Sequence, residues 1–391
     1  MREAVIVDAA RTPIGKGKPI VGSLSGFHAV QTLSLAIEGI LSRNGVPRKD
    51  VEQVLAGCVT QAGEQSSNIA RNAWLWPGDN YQVGAVTLDC ACGSGHQSVH
   101  LANSLVQSGA YDVVIGGGIE QMSHVSLGDA VKHGPGYPLV EPWPWDDPRS
   151  QFEAITRICQ NRGITREECD RMAVESQAKA IAATAEGRFK KEIIPVNAPI
   201  LGEDGMPTGE TQLVDQDQGL RPTSMEDIAG LKTFDRGGFV TAATASQISD
   251  GASAVLVMTP EKAAEYGLKP RARLISGVLV GADPYYLLDG PVDSTRAVLK
   301  KAGMKLEDID LYEVNEAFAA VVLSWCKVFN PDLSKLNVNG GSIALGHPVA
   351  STGPRMIATA LHELERSDKQ TALITMCCGS AVSTASIIER I

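Results

Sequence analysis

The chain has 391 residues, 43% of them hydrophobic, enough for two or three domains with sizeable cores. Thirty-five basic against 45 acidic residues give a formal charge of −10. That balance argues against a nucleic-acid or anionic-membrane surface and leaves room for a local basic patch facing a phosphorylated ligand. Asp8 interrupts the apolar run 4–7, so neither a signal-peptide core nor a membrane span is expected, and Glu389-Arg390-Ile391 is not the peroxisomal tripeptide. Eight cysteines without a disulfide framework fit a reducing compartment, so a cytoplasmic protein is expected.

Residues 4–7 read as a buried strand, and 30–41 carry apolar residues at helical spacing until Asn44-Gly45 ends them. A strand at 51–56, a helix at 67–76 and a strand at 83–88 follow. The last of these breaks into Asp89-Cys90-Ala91-Cys92-Gly93-Ser94-Gly95-His96, beyond which Val99, Ala102, Leu105 and Val106 mark a helix that Gly109 stops. Cys92 is therefore placed just ahead of a buried helix N-terminus. Unpaired N–H groups and the helix dipole there favour an anion and are expected to lower the thiol from its ordinary pKa of about 8.5. Free cysteine often packs as a small hydrophobe; that reading is kept for Cys90, expected on the strand, while Cys92 is the candidate nucleophile. Residues 113–115 form a strand running into Gly116-Gly117-Gly118, which no helix-opening Gly-x-x-Gly follows, so it is not a dinucleotide fingerprint. No Walker loop is present. The alternation is that of an α/β fold.

Near Met122 the texture changes. His133-Gly134-Pro135-Gly136-Tyr137-Pro138 and Pro142-Trp143-Pro144-Trp145 are rigid aromatic loop chemistry, read equally as a lid or as a packed surface excursion. Thr165-Arg166-Glu167-Glu168 is a capping box opening a helix toward Gly187. Arg157, Arg162, Lys190, Lys191, Arg221 and Lys232 bring positive charge suited to a phosphorylated ligand. Residues 253–258 resume the first core, and Pro270 starts a second half containing Leu274, a strand at 309–314 and another at 371–376. Asn44-Gly45-Val46 through Asp50-Val51-Glu52 matches Ala302-Gly303-Met304 through Asp308-Ile309-Asp310, the two glycines and the two aspartates each 258 residues apart. Two similar α/β halves flanking an insertion are expected.

Three clusters at element boundaries join Cys92 as candidates: Asn315-Glu316-Ala317-Phe318-Ala319, Gly346-His347-Pro348 and Cys377-Cys378-Gly379. The His347 imidazole can take a proton from Cys92 or donate to a developing oxyanion. Cys377 offers a second thiol, and the Asn315 amide can orient a water or an imidazole. A zinc site of Cys90, Cys92, Cys377 and Cys378 lacks the two-to-four-residue gap usual between zinc ligands, so no metal is expected.

Cys92-Gly93-Ser94-Gly95, Gly117-Gly118-Ile119-Glu120-Gln121-Met122-Ser123, Asn315-Glu316-Ala317-Phe318-Ala319, Asn339-Gly340-Gly341 through Gly346-His347-Pro348, and Cys377 together resemble the thiolase family of acetyl-CoA acyltransferases, in the right order over essentially the whole chain. Gly57-Cys58-Val59-Thr60-Gln61-Ala62-Gly63-Glu64-Gln65, Gln151-Phe152-Glu153, Pro284-Tyr285-Tyr286 and the C-terminal tripeptide are most similar to actinobacterial thiolases of steroid side-chain degradation. The resemblance implies the thiolase fold, two similar α/β halves in a five-layer αβαβα arrangement: 1–121 completed by 248–268, an inserted loop domain covering coenzyme A at 122–247, and 269–391. It implies Cys92 as acylated nucleophile, His347 as activator, Cys377 as acid/base, and Asn315 with His347 around a water in one oxyanion hole. The backbone N–H groups of Cys92 and Gly379 form the other, and Arg221, Ala242 and Ser246 contact coenzyme A. It further implies coenzyme A as co-substrate with no permanently bound cofactor, 3-ketoacyl-CoA as partner, no nucleic acid or membrane, and a homodimer or homotetramer.

The chain departs from the family pattern at Ala350, Pro354, Ser380 and Ala381, and at Thr244 and Gln247, where relatives carry asparagine and glycine; loss of glycine is expected to tighten backbone beside His347 and Cys377. The expected function is a 3-ketoacyl-CoA thiolase of fatty-acid or steroid side-chain β-oxidation. A catalytically weak acyl-CoA or sterol carrier and a decarboxylating condensing enzyme are the alternatives.

Overall fold

The computed structural model describes residues 2–391 except 133–135 and 137. His133, Gly134, Pro135 and Tyr137 of the aromatic loop thus lie outside the described residues. The first half contains β1 (Val5–Arg11), β2 (Gly15–Lys16), α1 (Ala29–Asn44), β3 (Gln53–Gly57), α2 (Ile69–Leu75), β4 (Gly84–Leu88), α3 (Ser94–Ser108) and β5 (Val113–Gln121). An excursion follows with α4 (Gln151–Arg162), α5 (Arg166–Ala185), the hairpin β6 (Val196–Leu201) and β7 (Pro207–Val214), and α6 (Met225–Ala229). The chain returns through β8 (Ser249–Met258) and α7 (Pro260–Glu265). The second half holds β9 (Ala272–Gly281), α8 (Gly290–Ala302), β10 (Leu311–Val314), α9 (Ala319–Phe329), α10 (Ser342–Leu345), α11 (Thr352–Ser367), β11 (Thr371–Cys378) and β12 (Val382–Arg390).

Strand order is β10-β11-β12-β9-β1-β8-β5-β3-β4, with β2 beside β8, and the two half-sheets meet where Ile6 pairs with Ala272. Both faces of each half-sheet are covered, so successive strand residues feed different cores. Val54 and Ile115 pack outward with Leu33, Ile37 and Trp74 of α1 and α2. Leu55 and Val114 pack inward with Val99 of α3 and Met356 and Leu361 of α11, where Ile374 of β11 joins them. Leu373, next to Ile374, faces the outer layer with Val298 of α8 and Trp325 of α9. Helices therefore lie outside, between and outside two sheet layers.

The internal repeat is structural. Gly45 and Gly303 both adopt φ near +65° (63° and 68°), closing α1 and α8 with N–H groups on the last helical carbonyls. A single 3₁₀ turn (Arg48–Asp50 and Leu306–Asp308) then leads into β3 and β10. Two boundaries differ from expectation. The strand opening at Val113 runs through the glycine triplet to Gln121, because these glycines admit neighbouring backbone: a Cβ on Gly116 would meet Val99 Cα at 2.8 Å and one on Gly118 the Ala350 oxygen at 2.1 Å. Cys90 is not on the strand, since β4 ends at Leu88 and Cys90 lies in the following turn. Among the described residues no helix is long and apolar enough to cross a membrane.

Candidate active site

Cys92 sits in the turn between β4 and α3. Asp89 Oδ1 accepts the Ala91 N–H at 2.8 Å, Cys90 N–H donates to Ser94 Oγ at 2.9 Å, and Ala91 is held at φ 52°. The turn is thus fixed by its own side chains. Two backbone N–H groups, those of Gly379 and of Cys92 itself, favour the ionised form of the Cys92 sulfur. They do not produce the lowered pKa expected from the helix terminus. Burial pushes the thiol up to about 11, outweighing both N–H groups, and the carboxylates of Glu120 and Asp89 add to the rise. At neutral pH the resting sulfur carries its proton and needs a base.

His347 supplies an imidazole in the right state. Its backbone N–H donates to Gln247 O at 3.0 Å, and its Nδ1 lies 2.6 Å from Thr352 Oγ1. The Thr352 hydroxyl donates to Pro348 O at 3.1 Å, so its oxygen accepts the Nδ1 proton. This network assigns the lone pair to Nε2, which is buried and makes no hydrogen bond within the described residues. Burial, with Arg355 adding repulsion, pushes the ring down to about 3, so the resting imidazole is neutral.

Cys377 ends β11 with 0% exposure. Burial first, then the neighbouring Cys92, pushes its thiol well above the ordinary value. The two sulfurs therefore sense one another, and ionising one opposes ionising the other.

Cys92, His347, Cys377 and Gly379 line one cavity of about 290 Å³. Its apolar wall carries Met122, Leu127, Leu288 and three phenylalanines: Phe152 stacks on Phe234 at 4.8 Å and meets Phe318 edge-on at 6.1 Å. Asn315 is not among the lining residues. It lies buried after β10, its Oδ1 accepting from Ser342 Oγ at 2.7 Å and its Nδ2 without a hydrogen bond within the described residues. Of the three expected coenzyme A contacts, Ser246 lines the cavity. Arg221 and Ala242 do not; both are exposed, and Arg221 Nη2 donates to Ala242 O at 3.2 Å. Arg157 and Arg162 are drawn into ion pairs with Glu153 and Asp289, both at 2.8 Å.

The departures divide in two. Ser380 and Ala381 take φ of 62° and 51°, so the glycine-favouring conformation beside Cys377 persists without glycine. Ala350 has no positive φ, and its carbonyl packs against Gly95 and Gly118; the expected tightening is therefore at 380–381. Gln247 Nε2 reaches Gly219 O at 2.9 Å and Ile343 O at 3.2 Å, tying the excursion to α10. Thr352, Ser342, Phe234 and Leu127 were not legible as site residues. Only Thr352, following His347 in a polar helix opening, left a trace in the sequence.

Models of the thiolase N-terminal domain and the thiolase C-terminal domain match residues 4–261 and 268–390. The chain is 40% identical over 400 residues to the steroid 3-ketoacyl-CoA thiolase FadA6 of Mycobacterium tuberculosis, covering 100% of this chain and 95% of that protein. It is 38% identical over 393 residues to a 3-ketoacyl-CoA thiolase of Bacillus subtilis, covering all of both. The crystal structure of the Bacillus anthracis acetyl-CoA acetyltransferase superposes with a TM-score of 0.88 at 33% identity, covering 100% of this chain and 99% of that one. With both domain models matched and full-length relatives at this identity, the chain belongs to the thiolase family.

Proposed function

We propose that this protein is a 3-ketoacyl-CoA thiolase. The observation that carries the reading is the convergence of Cys92, His347, Cys377 and Gly379 on one apolar-walled cavity. His347 Nε2 takes the Cys92 proton, and the thiolate attacks the 3-keto carbon of the substrate. The alkoxide is held by the backbone N–H groups of Cys92 and Gly379. As it collapses, the C2–C3 bond breaks, its electron pair goes to C2, and the Cys377 thiol protonates that carbon, releasing acetyl-CoA. The enolate oxygen formed on the way is held by protonated His347 and by a water that the Asn315 amide orients. Coenzyme A then gives its thiol proton to the Cys377 thiolate and attacks the acyl-Cys92 carbonyl; Cys92 leaves as thiolate and recovers its proton from His347. Both thiols and the imidazole end as they began.

The carrier reading gains no support from a site with every reacting group in place. Relatives that include a steroid thiolase support β-oxidation of fatty or steroid side chains. The excursion at 122–247 is read as the domain covering coenzyme A, with Arg221, Ala242 and Ser246 as contacts, flanked by halves at 1–121 with 248–268 and at 269–391. β4 is one of the two terminal strands of the sheet, with Val86 43% exposed and Tyr81 and Trp76 exposed nearby, which supports a homodimer built across that edge. Eight free thiols are in keeping with a cytoplasmic location.

The test is turnover of acetoacetyl-CoA, long-chain and steroid-side-chain 3-ketoacyl-CoAs. Coenzyme A-dependent release of acetyl-CoA is expected, whereas tight binding without turnover, or decarboxylation of malonyl-CoA instead, overturns the reading.

A further inference from the structure

Behind Asn315 stands a buried cation that the reaction sequence does not use. Arg355, near the start of α11, is 2% exposed, and its Nη2 donates to Ser342 Oγ at 3.0 Å. A guanidinium only donates, so the Ser342 hydroxyl oxygen accepts from it and the hydroxyl hydrogen is turned outward. That hydrogen goes to Asn315 Oδ1 at 2.7 Å. With its oxygen consumed, the amide has a single free arm, the Nδ2–H₂ group, which is buried without a partner among the described residues. All the hydrogen bonds run one way, from the charge to the amide.

The cation is only loosely compensated. Glu313 Oε2 is 3.9 Å from Nη1, beyond hydrogen-bond reach, and Arg355 Nε and Nη1 have no hydrogen-bond partner among the described residues. Burial pushes the Glu313 carboxyl up to about 8, so at neutral pH it is mostly protonated. Glu192, Glu316 and Arg11 complete the charged surroundings. Arg355 also acts by charge on His347, the other group assigned to the enolate oxygen.

We infer that Arg355 and Ser342 are positioning residues of the oxyanion hole: the relay Arg355→Ser342→Asn315 fixes the amide with its N–H groups toward the reacting oxygen and transmits positive character to it. The inference rests on the proposed thiolase reaction and adds two residues to it.

The experiment compares Ser342→Ala, Asn315→Ala and the double variant in thiolysis of acetoacetyl-CoA and in alkylation of Cys92 by iodoacetamide, a reaction that forms no enolate. Ser342→Ala is expected to lower kcat about 10-fold, less than outright loss of an oxyanion donor, with KM and the alkylation rate within about 2-fold of wild type. In the Asn315→Ala background it should add no more than about 2-fold, since the relay ends at that amide. An unchanged kcat, additive losses in the double variant, or equal losses of alkylation and turnover, the mark of a merely structural role, would overturn the inference while leaving the thiolase reading intact. A wild-type protein without thiolysis or acylation would overturn both.

Discussion

Gly379 packs against the turn that carries Cys92: a Cβ on it would lie 3.5 Å from Ala91 Cβ, and its backbone N–H favours the Cys92 thiolate. The strand end that delivers Cys377 in the second half thereby reaches the turn that opens α3 in the first. Each half contributes one thiol to the cavity, and the pair Cys92 and Cys377 exists only where the halves meet.

The proposed reaction gives the two sulfurs different roles. Cys377→Ala should leave Cys92 open to iodoacetamide while thiolysis falls at least ~10³-fold, the upper part of the range for losing a general acid or base. Rates of alkylation and turnover, measured on one preparation, check this. Parallel loss of both would make Cys377 structural.

Gly95 is where α3 meets the segment carrying His347. A Cβ there would lie 2.0 Å from the Ala350 oxygen and 2.8 Å from Pro354 Cδ. Backbone cannot yield as a flexible side chain does, so Gly95→Ala should cost about 3 kcal/mol or more and separate His347 from Cys92. Denaturant unfolding measures the first effect and residual thiolysis the second.

Ser380 and Ala381 sit in a left-handed conformation that costs an L-residue about 1–2 kcal/mol. Glycine removes that strain but loses more chain entropy on folding, which offsets roughly half of it. Ala381→Gly is expected to raise stability by about 0.5–1 kcal/mol with little effect on kcat, and thermal unfolding with thiolysis checks both. A fall in stability would mean that the alanine side chain contributes packing of comparable size.

His100 gives a pH prediction. Burial, with Lys301 adding repulsion, lowers it to about 3, and its Nε2 lies 2.7 Å from Ser386 Oγ. The unfolded chain, with histidine near 6.5, binds the extra proton between those values, so stability is lost as pH falls below about 6.5. At pH 5 the loss from this group is about 2 kcal/mol. His100→Gln keeps a hydrogen-bonding side chain and does not titrate. The stability difference between pH 7.5 and 5.0 should be smaller in the variant by roughly that amount; an equal difference would show that His100 relaxes on protonation.

Elements with strong periodicity were readable in the sequence: α1 with its terminal Gly45, the capping box of α5 and the repeat around Gly303 all appear where the pattern places them. The place of the candidate nucleophile was readable too, because Cys92 lies, as expected, between a strand and a helix start and lines the cavity. Its protonation state was not. A sequence registers the helix terminus after Cys92 but not the burial that outweighs it. The glycine triplet misled in the same way, marking close packing within β5 and not the end of a strand. Ser342 and Thr352 meet Asn315 and His347 through single hydrogen bonds, and no local pattern announces contacts of that kind.

The central claim is that Cys92 carries the acyl group. Intact-protein mass spectrometry after mixing with a 3-ketoacyl-CoA in the absence of free coenzyme A tests it most directly. One acyl mass should appear, map to the peptide containing Cys92, be absent in Cys92→Ala, and discharge when coenzyme A is added. An adduct on another residue, or turnover that persists in Cys92→Ala, would contradict the account.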